Sequence, residues 1–166
     1  MFPIETERLR LRPLRPDDLE ALAEVYLDPR VTRWIGPHTW EDVEQEIVLQ
    51  AEHQAAHGWS FWAVEERATG RMIGDCGLQP LEHRGPEVEL GYDLHPDTWG
   101  RGLATEAAGA ALAAGLVHLE APRLIAVVDA ENQRSLRVPE RLGMRRVGDI
   151  EAHGRAHILF AIQCGR

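Results

Sequence analysis

The stretch Trp99-Gly100-Arg101-Gly102-Leu103-Ala104-Thr105 places two glycines where an apolar helical pattern begins. Each glycine costs about 1 kcal/mol against alanine inside a helix. At a helix start, though, glycines leave backbone N–H groups bare at the positive end of the helix dipole. That arrangement binds anions, phosphate above all. The Gly-Lys-Ser/Thr ending of a Walker loop is missing. The dinucleotide spacing G-x-G-x-x-G also fails, because the next position after Gly100 and Gly102 is Thr105. A bare tight turn between strand and helix is the other reading. Just upstream, in "EVELGYDLH", strict alternation sets Glu87, Glu89 and Asp93 on one face of a strand. A carboxylate held among apolar neighbours there is placed to take up a proton. Glu89 leads in that role, and Glu87, beside the "HRGP" turn, follows. His53 and His57 have a spacing that can bind zinc, but no third ligand stands near and H-E-x-x-H is not formed. No metal is expected.

The elements that must position these groups are legible from pattern and punctuation. Leu9 and Leu11 alternate with Arg8, Arg10 and Arg12, which predicts a half-buried strand ended by Pro13. Leu19, Leu22, Ala23 and Tyr26 recur at helical spacing behind acidic residues. A second helix follows "DPRVTRWIGPHT", opened by a capping box of Thr39 and Asp42 and stopped by Gly58. "WSFWAVEE" and "MIGDCGLQP" read as a hairpin, and "EVELGYDLH" as a further strand. Residues 103–119 form an Ala-rich helix, and "RLIAVVD" a strand buried on both faces. "NQRSLRVPERLG" is a helix capped by Asn132 and stopped by Gly143, and "MRRVGDI" and "RAHILFAIQ" are the last strands. The result is an α/β fold: a mixed sheet of about seven strands with helices on both faces. Residues 87–128 form a parallel strand–helix–strand unit with a right-handed crossover.

The chain has 166 residues and reads as one domain, 1–166, with ordinary globular proportions of 44% hydrophobic and 27% charged residues. A net charge of −9 argues against nucleic acid and suits cationic partners. All 18 basic residues are arginine, which we read as compositional bias. There is no apolar run near 18 residues and the N-terminus is charged by Glu5, so neither a membrane span nor a signal peptide is expected. Cys76 and Cys164 are far apart and read as reduced thiols, which with the rest predicts a cytoplasmic protein.

Three blocks carry a resemblance to the GNAT superfamily of acyl-CoA N-acyltransferases, and within it to the RimJ/RimL-like branch. The superfamily's phosphate loop reads Gln/Arg-x-x-Gly-x-Gly/Ala. This chain has Trp99 at the first position, then Gly102 and Ala104, and "ELGYDLHPDTWGRGLATEA" has the Trp-Gly-x-Gly form of the branch. "ENQRSLRVPERLGM" is similar to the branch's Asn-x-x-Ser block, and "IETERLRLRPLRPDDLEAL" to its opening strand and helix.

The resemblance implies an acetyl-CoA-dependent N-acetyltransferase, with splayed central parallel strands, in which an amine attacks the thioester directly in a ternary complex. The amides of Gly100, Arg101, Gly102, Leu103, Ala104 and Thr105, with Trp99, would hold the pyrophosphate. The pantetheine arm would run along Tyr92, Asp93 and Leu94 like an added strand, and Asn132 would add a bond to it. A main-chain N–H near Tyr92–Leu94 would polarise the carbonyl, with a bulge there opening the acyl slot. Glu89 falls near the base of some relatives; the alternative is a structural carboxylate, with the proton leaving through water. Ser135 stands where many relatives carry tyrosine, as a group facing the sulfur or as a first-turn serine bonding backbone. Pro139 removes the N–H that would bond the carbonyl of residue 135, so a kink is expected there, and it bears on the pose of Ser135. The acceptor side would take Arg33, Trp34 and His38, and Trp62 as either core or groove wall, with His153 and His157 as further candidates. The acceptor is a protein N-terminus or a small-molecule amine, and a homodimer is common in the branch. An acyl-CoA sensor on the same fold is the other functional reading.

Overall fold

Short alternating segments pair into one eight-stranded mixed sheet in the computed structural model, which describes residues 3–165. The strands are β1 (Ile4–Glu5), β2 (Leu9–Pro13), β3 (Phe61–Glu66), β4 (Met72–Pro80), β5 (Val88–Leu94), β6 (Arg123–Asp129), β7 (Arg145–Ala152) and β8 (Arg155–Gln163). Their spatial order is β1-β2-β3-β4-β5-β6-β8-β7, antiparallel everywhere except between β5 and β6. The helices are α1 (Leu19–Tyr26), α2 (Pro29–Ile35), α3 (Trp40–His57), α4 (Leu103–His118) and α5 (Gln133–Arg141).

Alternation sorts the apolar side chains onto two faces. In β3, Trp62 and Val64 join the core under α4, whereas Ala63 joins the core under α1–α3. The first core holds Leu103, Ala107, Ala108 and Ala111 of α4 against β2, β4, β5 and β6. The second holds Leu22, Val25 and Tyr26 of α1, Val31 of α2, and Val43 and Ile47 of α3. Thr39 and Asp42 form the expected capping box, and Gly58 takes the left-handed conformation that ends α3.

Three expectations change. "DPRVTRWIGPHT" is not a plain connection: it contains α2, whose start is capped by the Asp28 carboxylate accepting the Arg30 amide at 2.8 Å. The sheet has eight strands because Ile4–Glu5 adds a two-residue pair on β2. No bulge lies in β5, whose register with β4 runs unbroken from Gly74↔Leu94 to Pro80↔Val88. The slot opens without it, between the two parallel strands, as the resemblance implies. Strands β5 and β6 pair only at Val88↔Leu124 and Glu89↔Ile125, and beyond those residues they part.

Candidate active site

A cavity of about 300 Å³ occupies the gap between the diverging strands. Tyr92, Asp93 and Leu94 of β5 line one side of it and Val127, Val128 and Asp129 of β6 the other. Trp99 and Ala104 stand at the end next to α4, and Glu89, Glu46 and His153 at the opposite end. Alternation along β5 divides the labour. Leu90 and Leu94 belong to the core under α4, and the opposite parity carries Glu89 and Asp93.

The loop ahead of α4 is held in shape by residues far away in the chain. Gly100 and Gly102 have φ of 77° and 78°, the left-handed region that L side chains avoid. A Cβ on Gly100 would meet nothing within 4 Å, so the loop faces open space. The first backbone bond of the helix runs from Glu106 N–H to the Gly102 carbonyl at 3.1 Å. The amides just ahead of it are the free donors of a helix start. Arg8 Nη1 donates to the Arg101 carbonyl at 2.8 Å, and Arg8 Nε to Glu106 Oε2 at 2.6 Å. The Arg8 amide and the Thr6 hydroxyl donate to Glu106 Oε1 at 2.8 and 2.6 Å. Open glycine positions on a braced loop, with free amides behind them, fit a diphosphate. The Arg101 guanidinium turns to Glu66, 2.7 Å away, and the Leu103 side chain is buried in the core. For both, only the main chain faces the loop's open side as a donor. Trp99 donates its indole N–H to the Leu94 carbonyl at 2.8 Å and carries the Arg134 guanidinium over its ring at 4.5 Å.

The helix α5 runs unbroken from Gln133 to Arg141 through Pro139. The effect of the proline appears in side-chain bonding. The Ser135 carbonyl, deprived of its helical donor, accepts the Tyr92 hydroxyl proton at 2.9 Å. Ser135 Oγ–H in turn donates to Tyr92 Oη at 3.1 Å. Asn132 Oδ1 accepts the Ser135 amide at 3.2 Å, the capping role read from the sequence. Ser135 is thus fixed at three atoms, facing a cavity that both it and Tyr92 line. Tyr92→Phe is expected to cost about 1–2 kcal/mol in denaturant unfolding, the penalty of an unpaired carbonyl. Ser135→Ala should cost less, because the Tyr92 bond to the carbonyl survives.

At the opposite end, buried Glu89 accepts from Gln79 Nε2 at 3.5 Å and lies 3.7 Å from His153 Nε2. Gln79 accepts from Gln50 Nε2 at 2.9 Å, so the amide is oriented from α3. Asp93 sits directly across from Asp75 in the ladder. Burial and the nearby Glu89 charge push the Asp93 carboxyl up to about 6. Burial, then Asp93, push Asp75 well above the carboxylate range, although the Tyr26 hydroxyl donates to its Oδ2 at 2.8 Å. A carboxyl raised above its unfolded value stabilises the fold below that value, and the gain is lost as pH rises through the folded pKa. For Asp93 the window runs from the ordinary 3.8 to about 6. Asp93→Asn is therefore expected to stabilise the protein by about 1–3 kcal/mol at pH above 6. Thermal melts against pH should show the gain shrinking as pH falls through the window.

Of the predicted acceptor residues, Trp34 and His38 line the cavity. Arg33 does not: it is exposed, with its guanidinium over the Trp34 ring at 4.6 Å. Of the two places open to Trp62 it takes the core and not the groove wall: it is fully buried under α4, with its indole N–H donating to Gln54 Oε1. Glu87 is taken up by Arg123 on the neighbouring strand. His157 and His153 both line the cavity. The sequence reading missed Glu46, Gln79 and the Tyr92–Ser135 pair, which come together only through the fold. Among the described residues, no group of three or more His, Cys, Asp or Glu could hold a metal ion, and no helix is long and apolar enough to cross a membrane.

Comparison with known proteins follows the same lines. A family model for the acetyltransferase (GNAT) domain matches residues 8–145. The chain is 33% identical over 153 residues to an uncharacterized N-acetyltransferase, YoaA, of Bacillus subtilis (strain 168), across 89% of this chain and 86% of that one. It is 26% identical over 142 residues to the spermidine N(1)-acetyltransferase of Escherichia coli (strain K12), across 86% of this chain and 75% of that one. The solved acetyltransferase from Agrobacterium tumefaciens str. C58 superposes with a TM-score of 0.85 at 27% identity, over 98% of this chain and 95% of that one.

Proposed function

The chain belongs to the GNAT acetyltransferase family and is an acetyl-CoA-dependent N-acetyltransferase, and we propose that Glu89 and Ser135 carry its chemistry on a small cationic amine. The observation behind this reading is the position of the cavity. It lies in the gap between β5 and β6, with the loop of α4 at one end and a cluster of carboxylates at the other.

The loop amides and the β5 edge hold the coenzyme. At the far end, Glu89 takes a proton from the incoming ammonium, so that nitrogen has a lone pair. The C–N bond forms at the thioester carbon, the C–S bond breaks, and the second proton shed by the nitrogen passes to the sulfur, which leaves as the thiol toward Ser135 Oγ. The Ser135 hydroxyl turns its proton from Tyr92 Oη to the departing sulfur, while the Tyr92 hydroxyl still holds the Ser135 carbonyl.

Charge supports a cationic acceptor. Glu46, Glu89 and Asp93 line the cavity together with Asp129, which is paired with Arg155, and Arg134, at the coenzyme end over Trp99, is the one arginine among the described lining residues. An amine bearing a second positive charge gains from such a wall. The relative that acts on spermidine agrees with this class. A protein N-terminus is the other acceptor that the RimJ/RimL-like resemblance supplies.

The test is thiol release from acetyl-CoA with a panel of polyamines, amino acids and peptides with free N-termini. The highest kcat/KM is expected for diamines and polyamines, with a clear loss in high salt. Preference for peptide N-termini would overturn the small-amine reading. Absence of thiol release with every amine, while coenzyme A still binds, would favour the sensor reading.

A further inference from the structure

Of the described residues other than glycine, three have positive φ: Glu82 at 51°, His83 at 57° and His153 at 50°. His83 and His153 line the cavity at its acceptor end, and Glu82 is bonded to His153 just outside it. Left-handed backbone at such residues costs free energy and gathers at functional sites, where the surrounding structure holds it in place. Here the hold is visible. Glu82 Oε1, in the turn Leu81–His83, accepts the His153 amide at 2.8 Å. That bond joins the β4–β5 connection to the β7–β8 turn across 71 residues. It sets the imidazole of His153 with Nε2 at 3.7 Å from Glu89 Oε1.

We propose that His153 is a positioning residue for Glu89, holding its carboxylate toward the acceptor and carrying its proton out to solvent. The inference rests on the reading of Glu89 as base. The Glu89 side chain is 7% exposed and that of His153 is 41% exposed, so the imidazole is a way out for a proton taken up inside. The groups facing His153 are Glu89 and Asp93 from β5, Glu82 from the turn, and the His157 ring from β8 at 5.8 Å. The Glu89 carboxylate close to Nε2 raises the affinity of His153 for a proton, against the opposing effect of burial. While Glu89 is charged, the imidazolium is therefore favoured. Once Glu89 has taken the ammonium proton, that support is gone. The imidazolium then sheds its proton to water, and Glu89–H passes its own proton to the emptied Nε2. One proton moves from ammonium to solvent per turnover, and nothing is oxidised or reduced.

The experiment compares kcat and kcat/KM against pH for the wild type, His153→Asn, His153→Gly and Glu89→Gln. Asparagine tolerates the left-handed backbone, and glycine adopts it freely while leaving a hole. His153→Asn is expected to lower kcat about tenfold, less than the 10²–10⁴ for loss of a base, and to shift the acidic limb of the profile. The KM for acetyl-CoA should not change. Added imidazole should restore part of the turnover of His153→Gly. Three results overturn the inference. One is a His153→Asn profile that coincides with that of the wild type. The second is a loss that imidazole leaves unrepaired. The third is a Glu89→Gln variant as fast as the wild type, which fells the base assignment as well. A slow Glu89→Gln beside unaltered His153 variants fells this inference alone.

Discussion

Gly102→Trp is expected to weaken coenzyme A binding by at least about 100-fold, or roughly 2.7 kcal/mol. The residue has φ of 78° at the start of α4, and the loop on its open side carries the amides assigned to the diphosphate. An indole there covers the donors. It also forces a left-handed L residue, at roughly 1–2 kcal/mol. Gly102→Ala separates the two effects. Its Cβ would lie 3.6 Å from Arg8 Nη2, an ordinary contact, so it carries the backbone strain without the obstruction. Coenzyme at about 100 times its dissociation constant should stabilise the wild type by about 2.7 kcal/mol. In a chain of this length that is a shift of roughly 5–10 °C in Tm. The alanine variant should melt lower but keep most of the shift, and the tryptophan variant should lose it. A tryptophan variant with the full shift would remove the loop from the coenzyme site.

Glu89→Gln is expected to lower kcat/KM by about 10²–10⁴ near neutral pH. The substitution keeps the shape and the contact with Gln79, but it removes the acceptor for the ammonium proton. The loss should not be uniform with pH. An alkyl amine titrates near pH 10, so the fraction already deprotonated in solution grows as pH rises. The gap between variant and wild type should narrow toward that pH. A profile running parallel to the wild type across the range would mean that the proton leaves by water alone.

Much of the frame was legible because it is written locally. The Thr39–Asp42 capping box, Gly58, and Asn132 as the cap of α5 each act within four residues of a helix end. The helix α2 carried its own signal, Asp28 as cap followed by Pro29 in the first turn. At seven residues it is too short for a repeating apolar pattern, so the segment reads from sequence as a connection between its neighbours. Trp62 shows the limit of alternation, which says that neighbouring side chains part to opposite faces but not which face covers the groove. The candidate site was legible where the chain supplies its lining in one run, from Glu89 to Thr105. It was not where partners are remote: Arg8 with Glu106, Tyr92 with Ser135, Glu82 with His153. Those pairs are 98, 43 and 71 residues apart, and only the assembled sheet brings them together.

The two register pairs between β5 and β6 have a mechanical consequence. The ladder from β1 to β5 and the ladder of β6, β8 and β7 are nearly separate sheets, held together by that short seam and by the helices α4 and α5 packed over it. Two such blocks can open independently, so amide hydrogen exchange in the empty protein should resolve two opening units of different stability. A chain of pantetheine lying in the seam would weld them into one.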